Sequence, residues 1–380
     1  MTAARILFVI NSLTGGGAER VFTTVLQASG ERLARYGVEV ALLDDEEEAY
    51  RLPDGLKVHR LASGSGLIAS VRKLDALVAT RRPDLILSFL TRANVATVIA
   101  ARRHSAQAIL SERVNTSAHL SSGRFAVITR TLVRLTYGRA DHIIAVSEGV
   151  AATLVQDFAV PAAKITAIPN PVDAAAIHNA ADAVPEMEVT ATDIVAMGRL
   201  VPNKNFALAI RAFAASAWPG RLIILGKGPE RELLMALGRK LRLGDRLVMP
   251  GFVANPYAVI SRAGVFLLSS RAEGFSNALV EAMAAGTAVV STDCPSGPAL
   301  IMEKCSDLRY GVPTALTGGY LVRMEDEKAM TAAIDAMRDD HERAHFAADG
   351  RRRVGAFSVE RAADAYWSVI DNAIRKRAVA

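Results

Sequence analysis

Apolar runs of strand length alternate with helix-like segments from one end of this chain to the other. That alternation predicts parallel sheets assembled from βαβ units. The first half offers "RILFVI", "VEVALL", "DLILSF", "QAILS", "HIIAVS" and "KITAIP", and the second "DIVAMG", "RLIILG", "RLVMPG", "GVFLLSS", "AVVSTD" and "YLV". Between them, "PNPVDAAAIHNAADAVPEMEVTATD" at 169–193 replaces periodic apolar residues with prolines and small side chains. The chain therefore reads as two α/β halves: a first domain at 1–170, a linker at 171–192, a second domain at 193–357 and a C-terminal helix at 358–380. A length of 380 residues suits two cores better than one. The last segment, "SVERAADAYWSVIDNAIRKRAVA", offers Ser358 as an N-cap, and Arg375, Lys376 and Arg377 complement its dipole. Its apolar face can pack on either half.

Composition narrows the function classes. Half the residues, 51%, are apolar and no low-complexity tract interrupts them, which excludes a disordered chain. The run "ILFVI" passes directly into "NSLTGGG", so no signal peptide is expected, and no apolar stretch approaches membrane-spanning length. Cys294 and Cys305 form neither a disulfide framework nor a metal spacing, which suits a reducing cytoplasm. The net charge of +6 is unevenly spread: residues 57–140 hold 14 Lys and Arg against Asp75, Asp84 and Glu112, a local excess of +11. Such a patch faces an anionic membrane, a phosphorylated ligand or nucleic acid, or is simply a solvated face. Nucleic acid is set aside, because no aromatic platform accompanies the charge.

In open parallel sheets, ligands bind beyond the carboxyl ends of the strands. Four strand ends in the second half carry glycines and charges. "DIVAM" is followed by Gly198, Arg199 and "NKN" with Lys204; "RLIIL" by "GKGPE" at 226–230; "RLVMP" by Gly251 and Phe252; "GVFLLSS" by "RAEGFSNALVE". One such end is an ordinary turn, but four on one rim predict a phosphate-bearing ligand. Arg199 and Lys204 offer fixed positive charge to a diphosphate. Ser276 or Asn277 is expected to cap a helix beginning near Ala278, whose N-terminus favours anions. Glu281, about one turn in, and Glu273, before the helix, suit two sets of sugar hydroxyls. In the first half, Gly15, Gly16 and Gly17 precede a helix expected from Ala18, so backbone amides can approach the same ligand class. "TGGGAE" lacks the G-x-G-x-x-G spacing, which weakens a dehydrogenase reading.

These motifs resemble those of glycosyltransferase family 4, retaining nucleotide-sugar enzymes of the GT-B fold. "EGFSNALVE" is similar to its E-x7-E motif, "SLTGGGAERV" to its first Gly-rich loop, "AVSEGVAATLV" and "IPNPVD" to its interdomain region, "GRLVPNKN" to its diphosphate clamp, and "GKGPE" and "MPGF" to its nucleotide-side loops. The resemblance covers nearly the whole chain. It implies an α/β GT-B architecture of two Rossmann-like doubly wound domains facing across a cleft, with the C-terminal helix crossing back. It also implies sugar transfer from a nucleoside diphosphate donor, UDP being expected and GDP the alternative, with no metal or other cofactor. Arg199, Lys204 and Glu273 are the implied catalytic residues. Donor binding then falls to Gly16, Gly17, Gly226 and Phe252, together with Gly274, Phe275, Ser276, Asn277, Leu279 and Glu281.

Two departures concern the remaining loops. Many family members carry a His after the fourth strand of the first domain, where this chain reads "ILSERVNTS"; Glu112, Arg113 and His119 are the acceptor-side candidates there. "STDCPSGPALI" at 291–301 resembles a loop of bacterial enzymes that extend lipid-linked or polysaccharide repeat units, with Leu300 where those often carry Glu. Cys294 reads as a small loop residue rather than a nucleophile. The expected acceptor is a lipid-linked saccharide or other glycan. Residues 121–140, where Arg124, Arg130, Arg134 and Arg139 interleave with apolar residues, are expected to meet an anionic membrane surface on its cytoplasmic side. The rival readings are a nucleotide-sugar epimerase of the same architecture and a catalytically idle partner of another transferase.

Overall fold

The computed structural model describes residues 4–113 and 126–379, and the chain divides into two compact units, Met1–Pro171 with Val359–Ala380, and Val172–Ser358. In the first unit, β1 (Arg5–Ile10), β2 (Gly37–Leu42), β3 (Lys57–Arg60), β4 (Leu85–Phe89), β5 (Gln107–Glu112), β6 (His142–Ala145) and β7 (Ile165–Ala167) form one sheet in the order β3-β2-β1-β4-β5-β6-β7. Every neighbouring pair is parallel. The second unit holds β8 (Ile194–Met197), β9 (Leu222–Leu225), β10 (Leu247–Gly251), β11 (Val265–Leu268), β12 (Ala288–Thr292), β13 (Thr314–Leu316) and β14 (Gly319–Val322), in the order β10-β9-β8-β11-β12-β14-β13. Only β13 runs antiparallel to its neighbour. In each sheet the strand order reverses between the first and fourth strands, β1 and β4 or β8 and β11, and that reversal opens a crevice above their carboxyl ends.

Central strands such as β4 and β9 are buried at every position, as a parallel sheet covered on both faces requires. Two strands escaped the apolar pattern. Both β3, "KVHR", and β13, "TAL", lie at sheet edges and are at most half-buried, so neither needs an apolar run.

The stretch 171–192 is not a linker. It carries a helix, Ala174–Ala181, that belongs to the second unit, with the Asp173 carboxylate accepting from Ala176 N at 2.8 Å. Asn255 Nδ2 donates to Ala180 O at 2.7 Å and Arg262 Nη1 to Ala181 O at 2.9 Å, which ties this helix down. Alanine is the best helix former and packs closely without a periodic apolar stripe, so the segment read as irregular.

The C-terminal helix, Val359–Val379, packs in the first unit, where Tyr366 and Trp367 are buried. The Trp367 indole stacks on Tyr36 at 5.5 Å and donates to Ser29 Oγ at 2.8 Å. Truncating such a ring to Ala costs about 3–5 kcal/mol, so this helix is a structural part of the unit. Among the described residues, no helix is long and apolar enough to cross a membrane.

Candidate functional site

The loops after β8 and β11 flank the crevice of the second unit. After β8 the chain passes Gly198 and Arg199 into a short 3-10 turn, Pro202–Lys204, and leaves it through Asn205 at φ 50°. After β11 comes Ser269 to Ser276. Four hydrogen bonds join these loops: Arg271 N to Asn203 O (2.8 Å), Asn203 Nδ2 to Ala272 O (2.7 Å), Ser269 Oγ to Lys204 O (2.9 Å), and Arg271 Nη1 to Pro202 O (2.8 Å). Arg271 Nε also meets Glu325 at 2.6 Å and holds that carboxyl below its ordinary pKa range.

This stitching brings Lys204 and Glu273 together across the switch point. The Lys204 ammonium donates to Glu273 Oε1 at 2.6 Å, and the Ser270 hydroxyl donates to the same oxygen at 2.6 Å. Their side chains are 23% and 12% exposed, so the pair is largely desolvated yet reachable. An ammonium has three donors and this contact takes one, leaving Lys204 able to serve a second anion. Arg199 is exposed, and among the described residues its guanidinium makes no hydrogen bond or ion pair. The expected separation of roles, Lys204 on the diphosphate and Glu273 on the sugar, thus begins from a direct contact between the two.

Glycines bring the neighbouring loops close. Gly226 has φ +136°, and a Cβ there would lie 1.9 Å from Gly198 O. A Cβ on Gly228 would come within 2.4 Å of Leu200 O. Backbone bonds from Gly198 N to Leu225 O (3.0 Å), Leu200 N to Lys227 O (2.9 Å) and Gly226 N to Gly251 O (2.7 Å) lock three strand ends into one rim. Gly226 is therefore required by its backbone neighbours whatever it binds. Phe252, after β10, stands 71% exposed, an apolar ring with nothing covering it in its own unit.

The helix after Glu273 runs Asn277–Ala284, one residue earlier than expected, and no side chain caps it. Ser276 occupies the N-cap position in a left-handed conformation, φ 64°, and its buried hydroxyl has no hydrogen-bond partner among the described residues. The left-handed backbone defeats the expected cap, because an N-cap side chain reaches the helix N–H groups from an extended backbone. Gly297 packs against it, since a Cβ there would lie 2.5 Å from Ser276 Oγ. Glu281 is the fifth residue of the helix and only 6% exposed. Gly274 and Asn277 are half-buried at the rim. Phe275 and Leu279 instead turn their side chains into the unit's interior; the Phe275 ring meets Phe357 edge-on at 5.2 Å. Any role they have with a ligand falls to their backbone. Cys294 is buried, and burial, followed by the Glu273 charge, pushes its thiol well above the ordinary range, as suits a loop residue rather than a nucleophile.

In the first unit, Gly16 is the N-cap of the helix Gly17–Gln27, and a Cβ on Gly16 would fall 2.2 Å from Glu19 Oε2. Burial raises the Glu19 pKa. Glu112 ends β5 fully buried and Arg113 follows at 7% exposure. Tyr137 Oη donates to Glu112 Oε2 at 2.6 Å and accepts from Asn94 Nδ2 at 3.1 Å. Arg113 Nη1 donates to Tyr366 Oη at 2.7 Å, and its guanidinium carbon lies 5.9 Å from the Phe89 ring centre. His119 lies outside the described residues. Among the described residues, no three His, Cys, Asp or Glu side chains cluster as a metal site.

The description "Glycosyltransferase Family 4" matches residues 15–176, and "Glycosyl transferases group 1" matches 191–340. A Campylobacter jejuni N-acetylgalactosamine-N,N'-diacetylbacillosaminyl-diphospho-undecaprenol 4-alpha-N-acetylgalactosaminyltransferase is 30% identical over 343 residues, 87% of this chain and 89% of that one. The chain belongs to glycosyltransferase family 4. A Rhizobium meliloti lipopolysaccharide core biosynthesis glycosyltransferase, LpsD, is similar to this glycosyltransferase at 28% identity, covering 96% of this chain and 97% of its own. The crystal structure of Anabaena Alr3699/HepE in complex with UDP superposes with a TM-score of 0.76 at 20% identity, covering 97% of this chain and all of that one. That likeness establishes the GT-B fold for the two doubly wound units.

Several residues that hold the candidate side chains within each unit carried no signal in the sequence. Ser270 was an anonymous end of "GVFLLSS", and Glu325 sits 54 positions beyond the arginine it holds. Tyr366 reaches Arg113 from 253 residues away, inside a helix legible only as amphipathic. Asn94 and Tyr137, which anchor Glu112, lie on separate helices.

Proposed function

We propose that this glycosyltransferase moves a hexosyl or N-acetylhexosaminyl group from a UDP-sugar to a lipid-linked saccharide in bacterial surface glycan assembly, with retention and without a metal. The observation that carries this reading is the Lys204–Glu273 contact at the β8/β11 switch point, with the exposed guanidinium of Arg199 on the same loop. As the bond from the sugar to the diphosphate breaks, negative charge grows on the leaving phosphate, and the two cations stabilise it most at that moment. Glu273, already held by two donors on one oxygen, offers Oε2 to sugar hydroxyls. Glu281 takes the ribose hydroxyls. The acceptor hydroxyl adds to the sugar from the face the diphosphate leaves, and its proton passes to the departing phosphate oxygen.

The acceptor class is supported by the Campylobacter and Rhizobium relatives, whose names place them on diphospho-undecaprenol-linked sugars and lipopolysaccharide core. A membrane-facing first unit is supported by the helix Ala126–Tyr137, where Val127, Ile128 and Leu135 stand 79%, 58% and 53% exposed beside Arg130 and Arg134, with exposed Arg139 just past its end. Apolar side chains outward among cations suit an anionic lipid surface. The protein is expected to co-sediment with phosphatidylglycerol vesicles and not with phosphatidylcholine vesicles. Equal binding to both, or to neither, removes the membrane from the account.

The test of the reaction is UDP release from UDP-sugars, in chelator, with and without a short-chain diphosphate-linked saccharide. Release that requires the acceptor supports transfer. Conversion of the sugar with no acceptor present would point to an epimerase of the same architecture.

A further inference from the structure

Arg113 is built in a way its neighbours do not explain. Its side chain lies in the interior of the first unit, immediately beyond the carboxyl end of β5. Nη1 is occupied by Tyr366 Oη at 2.7 Å and lies at the limit of hydrogen bonding to Ser111 Oγ at 3.4 Å. Nε and Nη2 are buried and have no hydrogen-bond partner among the described residues. Those two nitrogens form the edge of a guanidinium that grips two oxygens of one anion through parallel N–H···O bonds. Leaving two charged donors unsatisfied in an interior is costly. That edge is therefore the part of the guanidinium that its described neighbours leave unsatisfied.

The surroundings hold the guanidinium plane in place. Phe89 lies beside it, and the Tyr366 ring stacks on Phe89 with centroids 5.8 Å apart and planes 8° from parallel. The Tyr366 hydroxyl also meets Ser111 Oγ at 2.9 Å. Glu112, the adjacent carboxylate, has Oε2 engaged by Tyr137 at 2.6 Å. Burial pushes the Arg113 pKa down, with Tyr366 and Glu112 opposing that shift, and arginine keeps its charge regardless.

We propose that the Nε/Nη2 edge of Arg113 is a binding site for a phosphate oxyanion, that Tyr366 of the C-terminal helix is its positioning residue, and that in the reaction it takes the acceptor's phosphoryl group. The acceptor assignment rests on the transfer reading above; the oxyanion site does not. A saccharide linked to its lipid through phosphate presents two equivalent oxygens on one phosphorus, the geometry this edge matches.

Two arms test it. In the first, inorganic phosphate is titrated calorimetrically into full-length protein carrying Lys204→Ala, which removes the rim's lysine, and compared with the same protein carrying Arg113→Met, Arg113→Lys or Tyr366→Phe. Affinity is expected to fall at least about 10-fold with either Arg113 change and by a smaller factor with Tyr366→Phe. In the second, transfer to a short-chain diphosphate-linked acceptor is measured with Lys204 intact. Arg113→Lys is expected to raise the acceptor KM about 10-fold or more, leaving UDP affinity within about twofold. Phosphate binding that is unchanged in a folded Arg113→Met protein overturns the site. If that variant does not fold, an unchanged phosphate affinity and acceptor KM in Tyr366→Phe overturn it instead. Arg113-dependent phosphate binding in a protein that shows no transfer keeps the oxyanion site and removes the acceptor assignment. Phosphate binding lost together with an unchanged acceptor KM does the same.

Discussion

The two units place charge at their strand ends in opposite ways. In the second, Lys204 and Glu273 meet at the switch point with side chains 23% and 12% exposed, each delivered by a loop bonded to the other loop. In the first, Glu112 and Arg113 sit one strand beyond the switch, 0% and 7% exposed, and their partners include the Tyr137 and Tyr366 hydroxyls from two helices and the Phe89 ring at the end of β4. A pair that keeps some contact with water can exchange partners, which suits a site that must meet and release a diphosphate. A buried pair loses nearly all of that contact, so each charge needs donors and acceptors fixed in advance. The contrast teaches that the pair in the second unit can exchange partners, as the proposed diphosphate site requires, while the pair in the first unit is fixed in advance.

That comparison is broken most sharply by Lys204→Ala. Losing a preorganised cation at the developing charge is expected to cost about 3–4 kcal/mol of barrier, roughly 10²–10³ in kcat, with the fold retained because the residue is partly exposed. Steady-state transfer assays and far-UV circular dichroism check both halves, and an unchanged kcat takes Lys204 out of the mechanism. Glu281→Ala is expected next, weakening UDP binding by about 1.5–3 kcal/mol through loss of charged hydrogen bonds to the ribose. Calorimetry decides it, and a normal dissociation constant contradicts the ribose assignment. Tyr137→Phe addresses the buried site: with Glu112 Oε2 left without its hydroxyl, stability should fall by about 1–3 kcal/mol in urea titrations while UDP binding to the second unit stays the same. A neutral result would mean that the cluster is less tightly determined than its burial implies.

The smallest change concerns Ser276. Glycine removes the left-handed strain and the unpartnered hydroxyl together, so Ser276→Gly should stabilise the protein by about 1 kcal/mol. Destabilisation, seen as a lower urea midpoint, would show that the hydroxyl has a partner after all. Finally, a thiol reagent at pH 8 should modify exposed Cys305 and spare buried Cys294 until the protein is unfolded. Two equivalents modified at once in the native protein would contradict the burial argument.

Much of this architecture was legible because it rests on local rules. Buried parallel strands must be apolar throughout, so twelve apolar runs marked their places. Loops at strand ends carry glycines and charges whatever their order in the sheet, which is why Arg199, Lys204, Glu273 and Glu281 could be named together. What failed had no local rule behind it. The edge strands β3 and β13 bury too little to need a pattern, and the Ala174–Ala181 helix buries only Ile177 and Ala181, too few to make a stripe. Ser276 has the residue type of a cap but a backbone that prevents one. Phe275 and Leu279 follow the motif in sequence and the core in space. The Arg113–Tyr366 contact spans 253 residues, and only the folded first unit brings the two together.

The central claim is that Lys204 and Arg199 hold the donor's diphosphate. It is tested most directly by calorimetric titration of UDP and of uridine, in magnesium-free buffer, into wild type and the Arg199→Ala/Lys204→Ala double variant. Loss of two cations facing a diphosphate should weaken UDP by at least about 1.4 kcal/mol, a factor of 10, and leave uridine unchanged. Equal UDP affinity in the two proteins would contradict the claim and move the diphosphate elsewhere.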